Sequence, residues 1–288
     1  MSDLDALMVE LGGAPSFELP VERLSPSSID GFWKCAEQWR REKVEKDRRP
    51  VTVDQLFGSA FDRAASTNFR QKIESHEDIS VVEMRDVAGD SFNTVVEEEK
   101  EERGIDWYET KPATLQAEVI TQMVGNDSLP GFHQVLAPTI QPVTIQRWFE
   151  VPTVVGVPFV GKIDVETDRA QVRDMKTTKK AHTQADIDKN TQATGYLWAR
   201  EREGDPAADF GTLIAIRTIK PQQQELVTTR TAEEIAQFDS LLLVTAQTIS
   251  HFMNTYGPDG PWPGASPLGW WCSKRQCSFY GNGCPWRQ

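Results

Sequence analysis

The stretch VGKIDVETDRAQVRDMKTTKK, Val160 to Lys180, decides how this 288-residue chain is read. Apolar and polar residues alternate on both sides of a turn signal at Asp168–Arg169, the pattern of an antiparallel hairpin. Side chains on a strand alternate faces, so Asp174 and Lys176 share one face and Met175 takes the other. Pairing across the turn brings Asp164 level with Asp174. Two carboxylates and an ammonium on one face suit Mg²⁺ or Mn²⁺, hard cations that prefer oxygen ligands. The plainer alternative is a solvent-facing hairpin with an Asp/Lys salt bridge. The stretch also holds a decoy, because Gly156 to Lys162 reads G-x-x-x-x-G-K. A phosphate-binding loop needs Ser or Thr after the lysine and a helix starting there. Ile163 follows instead, and the strand continues.

Outward from the hairpin, the period is helical before it and mixed after it. Residues 1–24 read as a loose leader. Ser25 to Lys46 reads as one helix, with Ile29, Phe32, Trp33, Ala36 and Trp39 at helical spacing. A second helix is expected from Asp54 to about Lys72, and a helical insertion over about 74–137. Thr144 to Thr178 reads as three antiparallel strands. A helix from Gln184 to Glu203, a strand from Asp209 to Ile219 and a helix from Thr231 to Asn254 follow. The tail, about 257–288, is rich in Gly, Pro, Trp and Cys and lacks periodicity. This order predicts an α/β fold over 25–288, a single domain with a helical insertion.

The chain carries a net charge of −12, which on its face argues against a nucleic-acid partner. From Glu74 to Glu109, however, thirteen acidic residues face three basic ones, a net of −10, so the remainder carries only −2. The acidic block reads as a solvated helix face. Local basic surfaces exist: Trp33–Pro50 has seven basic and four acidic residues, and Trp262–Gln288 has three basic and none acidic. DNA is therefore not excluded by charge. No run of about 18 apolar residues suggests a membrane span, and the acidic start lacks a secretory n-region. A cytoplasmic protein is the expectation.

The four cysteines are Cys35, Cys272, Cys277 and Cys284. An intracellular protein rarely uses four for disulfides, and three spaced C-x₄-C-x₆-C suggest ligands.

Taken in order, these motifs resemble the PD-(D/E)XK nuclease superfamily. The resemblance is to its RecB-like branch, which includes the CRISPR-associated RecB-like exonucleases and the AddB nuclease domain. The matching residues are Gly161-Lys-Ile-Asp164, Asp174-Met-Lys176, and Gln192 with Tyr196 in Q-x-x-x-Y. Family members carry G-x-x-x-H upstream; here Gly58-Ser-Ala-Phe-Asp62 puts Asp62 at the histidine position. The resemblance implies a restriction-endonuclease-like core, a small mixed sheet flanked by helices. It implies Mg²⁺ or Mn²⁺ held by Asp62, Asp164 and Asp174, with Lys176 beside the attacking water. Glu150, one strand earlier, is a further carboxylate candidate, and Gln192 and Tyr196 would contact DNA or brace the site.

The segment FWKCAEQW around Cys35 resembles the cysteine-bearing helix of iron–sulfur RecB-like nucleases. That implies a [4Fe–4S] cluster on Cys35, Cys272, Cys277 and Cys284, stapling the N-terminal helix to the tail. The usual C-x₂-C is C-x₄-C here, which leaves a structural Zn²⁺ as the alternative. Ligation is expected to fold a tail that has no core of its own. The implied activity is a metal-dependent deoxyribonuclease, an exonuclease on single-stranded DNA ends. Its setting would be recombination, repair or spacer processing, with recombination or CRISPR-adaptation proteins as partners. The rival readings are a non-catalytic DNA-binding or assembly module, fed by Asp62 in place of histidine, and an iron–sulfur redox protein.

Overall fold

Ser25 starts the first helix, α1 (Pro26–Lys34), by accepting the Ser28 N–H at 3.2 Å, with proline in the first turn where no donor is missed. The computed structural model describes residues 17–47, 49–107, 110–121, 123, 128–217, 222–266, 269, 271–273, 277 and 279–287. The leader expected over 1–24 therefore lies outside the described residues as far as residue 16. The chain forms two compact units: Met1–Arg48 with Phe149–Gly161 and Thr231–Gln288, and Arg49–Trp148 with Lys162–Arg230.

In the first unit, the single helix expected from Ser25 is two. Cys35, at φ −160° and ψ 102°, ends α1 and caps α2 (Ala36–Lys43), its Sγ accepting the Gln38 N–H at 3.5 Å. A residue spacing that suits one helix cannot reveal this break, because the cysteine caps the second helix with its own side chain. Leu24 bridges to Phe159: its N–H donates to Pro158 at 2.9 Å, and its carbonyl accepts from Val160 at 2.8 Å. A long helix (Ala232–Tyr256) is opened by a capping box between Thr231 and Glu234.

The tail does have a core. Trp262 and Phe279 are buried, and Trp262 stacks on Trp39 at 5.9 Å. Beneath them lies a buried ion pair. Glu37 accepts from Arg40 through both oxygens, at 2.7 and 2.9 Å, and from the Trp262 N–H at 2.8 Å. Arg40 also donates to the Pro258 carbonyl at 2.7 Å. Tail and helix are thus tied by packing and hydrogen bonds, contrary to the expectation that ligation alone folds the tail.

In the second unit, β1 (Val51–Thr52) pairs in parallel with β2 (Ile105–Asp106). Between them run α3 (Val53–Ser75) and α4 (Val81–Glu102), followed by α5 (Pro112–Ile120) and α6 (Ser128–Val135). A capping box of Thr52 and Gln55 opens α3, and His76 closes it at φ 61°. Its buried stripe, Leu56, Phe57, Ala60, Phe61, Ala64, Ala65 and Phe69, recurs at helical spacing and packs with Val165, Met175, Leu213 and Ala215 of the sheet.

That sheet has the order β3-β4-β5-β6-β7, from β3 (Pro142–Val151), β4 (Phe159–Thr167), β5 (Gln171–Thr178), β6 (Asp209–Ile216) and β7 (Gln222–Thr228). The first three are the strands expected from the alternation. β4–β5 and β6–β7 are antiparallel, and β5–β6 is parallel from Gln171↔Asp209 to Thr178↔Ile216. The parallel pair requires a crossover, supplied by α7 (Gln184–Asp188) and α8 (Thr191–Arg202). These are one expected helix divided at Asn190, whose side chain caps α8 through the Ala193 N–H. Thr218 and Ile219 of the expected β6 lie outside the described residues. β7 is unexpected, because QQQELVT has too few apolar residues to show a strand period. Pairing with β6 makes it one.

The mixed α/β fold with a five-stranded sheet flanked by helices is therefore as the sequence implies. Alternation along β5 decides what each side holds. Met175 joins the core with α3, while Asp174 and Lys176 point to the side of α8.

Candidate active site

The site lies within the second unit, where the β4–β5 ladder stops. Its pairs are Val165↔Arg173 and Glu166↔Val172, so the register puts Asp164 opposite Asp174 one step further on. There the Met175 N–H donates at 2.8 Å to the Asp164 carboxylate instead of to a strand carbonyl. The side chain replaces the ladder bond and the strands part. From the other edge, β6 holds β5 in register through both Asp174 and Lys176.

Asp174 is 2% exposed. A buried carboxylate needs partners, and it has two. Lys176 Nζ lies 2.8 and 2.9 Å from its oxygens, and Gln192 Nε2 donates at 2.8 Å. One helical turn on, the Tyr196 hydroxyl donates to the Lys162 carbonyl at 2.8 Å. The two residues of the Q-x-x-x-Y motif thus brace β5 and β4 respectively. A buried network fixes α8 behind them: Glu166 accepts from Arg147 at 2.8 Å and pairs with Arg200 at 3.1 Å.

Asp62 approaches from α3. Gln146 Nε2 lies 3.1 Å from Asp62 Oδ1, 3.5 Å from Asp164 Oδ1 and 3.2 Å from Ser66 Oγ. Gln146 has φ 54°, a left-handed kink in β3. The kink breaks strand alternation, so no period-2 reading would have found Gln146. Lys162, two residues before Asp164 and on the same side of β4, is exposed, and its charge reaches Asp62. In the sequence it marks only the end of the incomplete phosphate loop. Glu150, by contrast, is exposed near the end of β3 and falls in the first unit.

The electrostatics are those of crowded carboxylates. Burial, then the charges of Asp174 and Asp62, push the Asp164 carboxyl up to about 8. Burial also raises Asp62, against the pull of Lys162 and Lys176. For Lys176, burial works downward but Asp174 and Asp164 outweigh it, so the ammonium is stabilised. Its side chain is still 43% exposed, which opens the site to solvent. Burial and Asp174 lift the Tyr196 phenol to about 12.

An all-oxygen set whose members destabilise one another in the charged form fits a hard divalent cation. Gln146 supplies a neutral donor shared by Asp62 and Asp164. Among the described residues no group of three or more His, Cys, Asp or Glu side chains forms a ready metal site.

The four cysteines lie in the first unit as free, half-buried thiols. Burial raises Cys35, which also feels Cys277 and Cys284; burial raises Cys277, which feels Cys284 and Cys272. Among the described residues no three of these thiols form a group placed to hold a metal ion. The local basic surface of Trp33–Pro50 is turned inward at two positions. Arg40 is in the buried pair with Glu37, and Arg41 bonds Asp47 and the Gly283 carbonyl and lies over the Phe279 ring at 4.3 Å.

Residues 23–288 match the family model of the PD-(D/E)XK nuclease superfamily. No curated protein matches the chain. Among solved structures, it is similar to one from Eubacterium rectale called a "Putative exonuclease", at 13% identity and a TM-score of 0.52 over 87% of each chain. At that identity the likeness is one of fold. A second, SSO0001, is 12% identical at a TM-score of 0.32, over 84% of this chain and 88% of that one, and carries no weight. No helix among the described residues is long and apolar enough to cross a membrane.

Proposed function

Because this chain belongs to the PD-(D/E)XK nuclease superfamily, we propose that it is a divalent-metal-dependent deoxyribonuclease acting as an exonuclease on single-stranded DNA ends. The observation that supports this is Asp174 held by Lys176 and Gln192, next to a Met175 amide that donates to Asp164, all in one unit. Asp164 and Asp174, with Asp62, would hold Mg²⁺ or Mn²⁺. When bound, such an ion lowers the pKa of a coordinated water and offsets charge on the scissile phosphate.

The chain's own residues supply the rest. Lys176, kept cationic by its carboxylates, positions the water and stabilises negative charge developing at the phosphate. Gln192 holds Asp174 in one rotamer, and Tyr196 holds the β4 backbone beside Asp164. Lys162 offers a second cation to the incoming strand. Action at ends, in recombination, repair or spacer processing, is supported by the resemblance of the ordered motifs to the RecB-like branch.

The test is cleavage of single strands labelled at either end, with Mg²⁺, Mn²⁺ or EDTA. Successive shortening from one end, stopped by EDTA, is expected. Binding without cleavage under any metal would leave the non-catalytic module. Cleavage unchanged in EDTA would remove the metal from the mechanism.

We further propose that Cys35, Cys272, Cys277 and Cys284 hold a [4Fe–4S] cluster, on the support of their shared unit and of the resemblance of their order to iron–sulfur RecB-like nucleases. Anaerobically prepared protein should contain about four iron atoms per chain. Cys35→Ser and Cys284→Ser should both lose the brown colour and most of the iron. Stoichiometric zinc without visible absorbance would make the site a zinc staple. Full iron in Cys35→Ser would take that residue out of the ligand set.

A further inference from the structure

The first unit holds a cavity of about 360 Å³ lined by Tyr256, Pro261, Pro263, Gly264, Ala265, Trp286 and Arg287. Its size is near the lower end of the roughly 300–1,000 Å³ typical of ligand pockets, so it suits one flat ring system better than a large cofactor. Two aromatic rings border it and neither is spent in the core: Tyr256 is 43% exposed and Trp286 47% exposed. Such exposure of large rings on one concave surface points to a ligand.

Trp286 is also fixed in place. Its Nε1–H donates to the Trp262 carbonyl at 2.8 Å, and Trp262 is itself wholly buried. The ring lies against Gly264 so closely that a Cβ there would come within 2.5 Å of Cδ1. Any side chain at position 264 would push the ring away. A rigid, half-exposed indole loses little entropy when a ring stacks on it.

The charge of the lining selects the ligand. Arg287 is the charged side chain among the residues that line the cavity. Arg287 uses one Nη1–H on the Trp286 carbonyl, at 2.5 Å. A guanidinium has five N–H donors, which leaves donors for a phosphate next to the stacked ring. Aromatic faces beside a cation are how proteins hold single-stranded nucleic acid without reading its sequence.

We infer that this cleft is a nucleobase-binding subsite, in which a base of single-stranded DNA stacks on Trp286 and Tyr256 while Arg287 meets the adjoining phosphate. The inference rests on the reading that the chain acts on DNA.

The experiment uses the full chain carrying Asp174→Asn, so that bound DNA is not cut. Its affinity for a single-stranded oligonucleotide bearing 2-aminopurine is compared with that of the same protein carrying Trp286→Ala, Tyr256→Ala or Trp286→Phe. Base stacking is worth about 1–3 kcal/mol per base by alanine substitution, so each alanine variant should bind about 5- to 150-fold more weakly. Trp286→Phe should recover most of the loss. Quenching of 2-aminopurine should fall with the affinity, and binding to blunt duplex should change little.

If the parent binds no single strand at all, the deoxyribonuclease reading fails with it. If the parent binds and both alanine variants match it, the subsite alone is overturned. Should Trp286→Ala fail to fold, Tyr256→Ala and Trp286→Phe decide the matter. A cleft that instead takes a proline-rich peptide, with DNA affinity unchanged in the variants, overturns the inference as well.

Discussion

Asp174→Asn and Lys176→Ala should each reduce single-turnover cleavage by at least about a hundredfold, the scale seen when one group that stabilises transition-state charge is removed. The fold should survive both changes. β5 is held from the β6 side over Gln171 to Thr178, so its register does not depend on either side chain. Asparagine keeps the size of Asp174 and can still accept from Gln192, but it leaves the Lys176 ammonium without its counter-charge. Lys176→Ala does the reverse and leaves a buried carboxylate with one donor. Circular dichroism should match that of the parent and both variants should stay folded at the assay temperature, while product formation is lost at saturating Mg²⁺ or Mn²⁺. Parental rates in both variants would move the chemistry away from this pair.

Glu37→Ala should destabilise the protein by about 3–5 kcal/mol, the usual result of removing one partner from a buried ion pair. Glu37 and Arg40 are both about 3% exposed. Removing the carboxylate leaves Arg40 with only Glu45 and the Pro258 carbonyl, and leaves the Trp262 N–H without its acceptor. At roughly 2–4 °C per kcal/mol for a chain of this order of size, the drop in melting temperature should be evident in a simple scan. Glu37→Gln, which retains an acceptor but no charge, should fall between the two. Because the affected groups join α2 to the tail, the first unit should loosen before the second, read as early hydrogen exchange at the Trp39 and Trp262 amides. A midpoint unchanged in Glu37→Ala would show that the tail is held by another means.

This second result bears on how the molecule could be read in advance. The tail's lack of periodicity was visible in its sequence, and it suggested a segment folded only by ligation. What periodicity cannot express is a tryptophan stacked on another more than two hundred residues away, or a glutamate whose backbone-directed bond lies at the same distance. The same blindness explains Cys35. Helical spacing runs through it uninterrupted, yet its own sulfur caps a new helix and turns the chain.

At the candidate site, the local part was legible and the long-range part was not. Alternation alone put Asp174 with Lys176 and set Asp164 across from them, because the two-residue period of a strand is a property of the chain itself. Helical spacing likewise placed Gln192 and Tyr196 on one face of α8. The resemblance added Asp62, and tertiary structure then set it beside Gln146. Glu150 was an inference from strand position and stands in the other unit, whereas Gln146 enters the cluster only because β3 kinks at φ 54°. The sequence by itself determined the hairpin, its faces and its charges, since these depend on neighbours two to four residues apart. Only the tertiary structure decided which carboxylates crowd together, where the ladder gives way to the Asp164 side chain, and which arginines are spent inside. Those outcomes follow from burial and from the need of each buried polar group for a partner, and both are set by residues far apart in the chain.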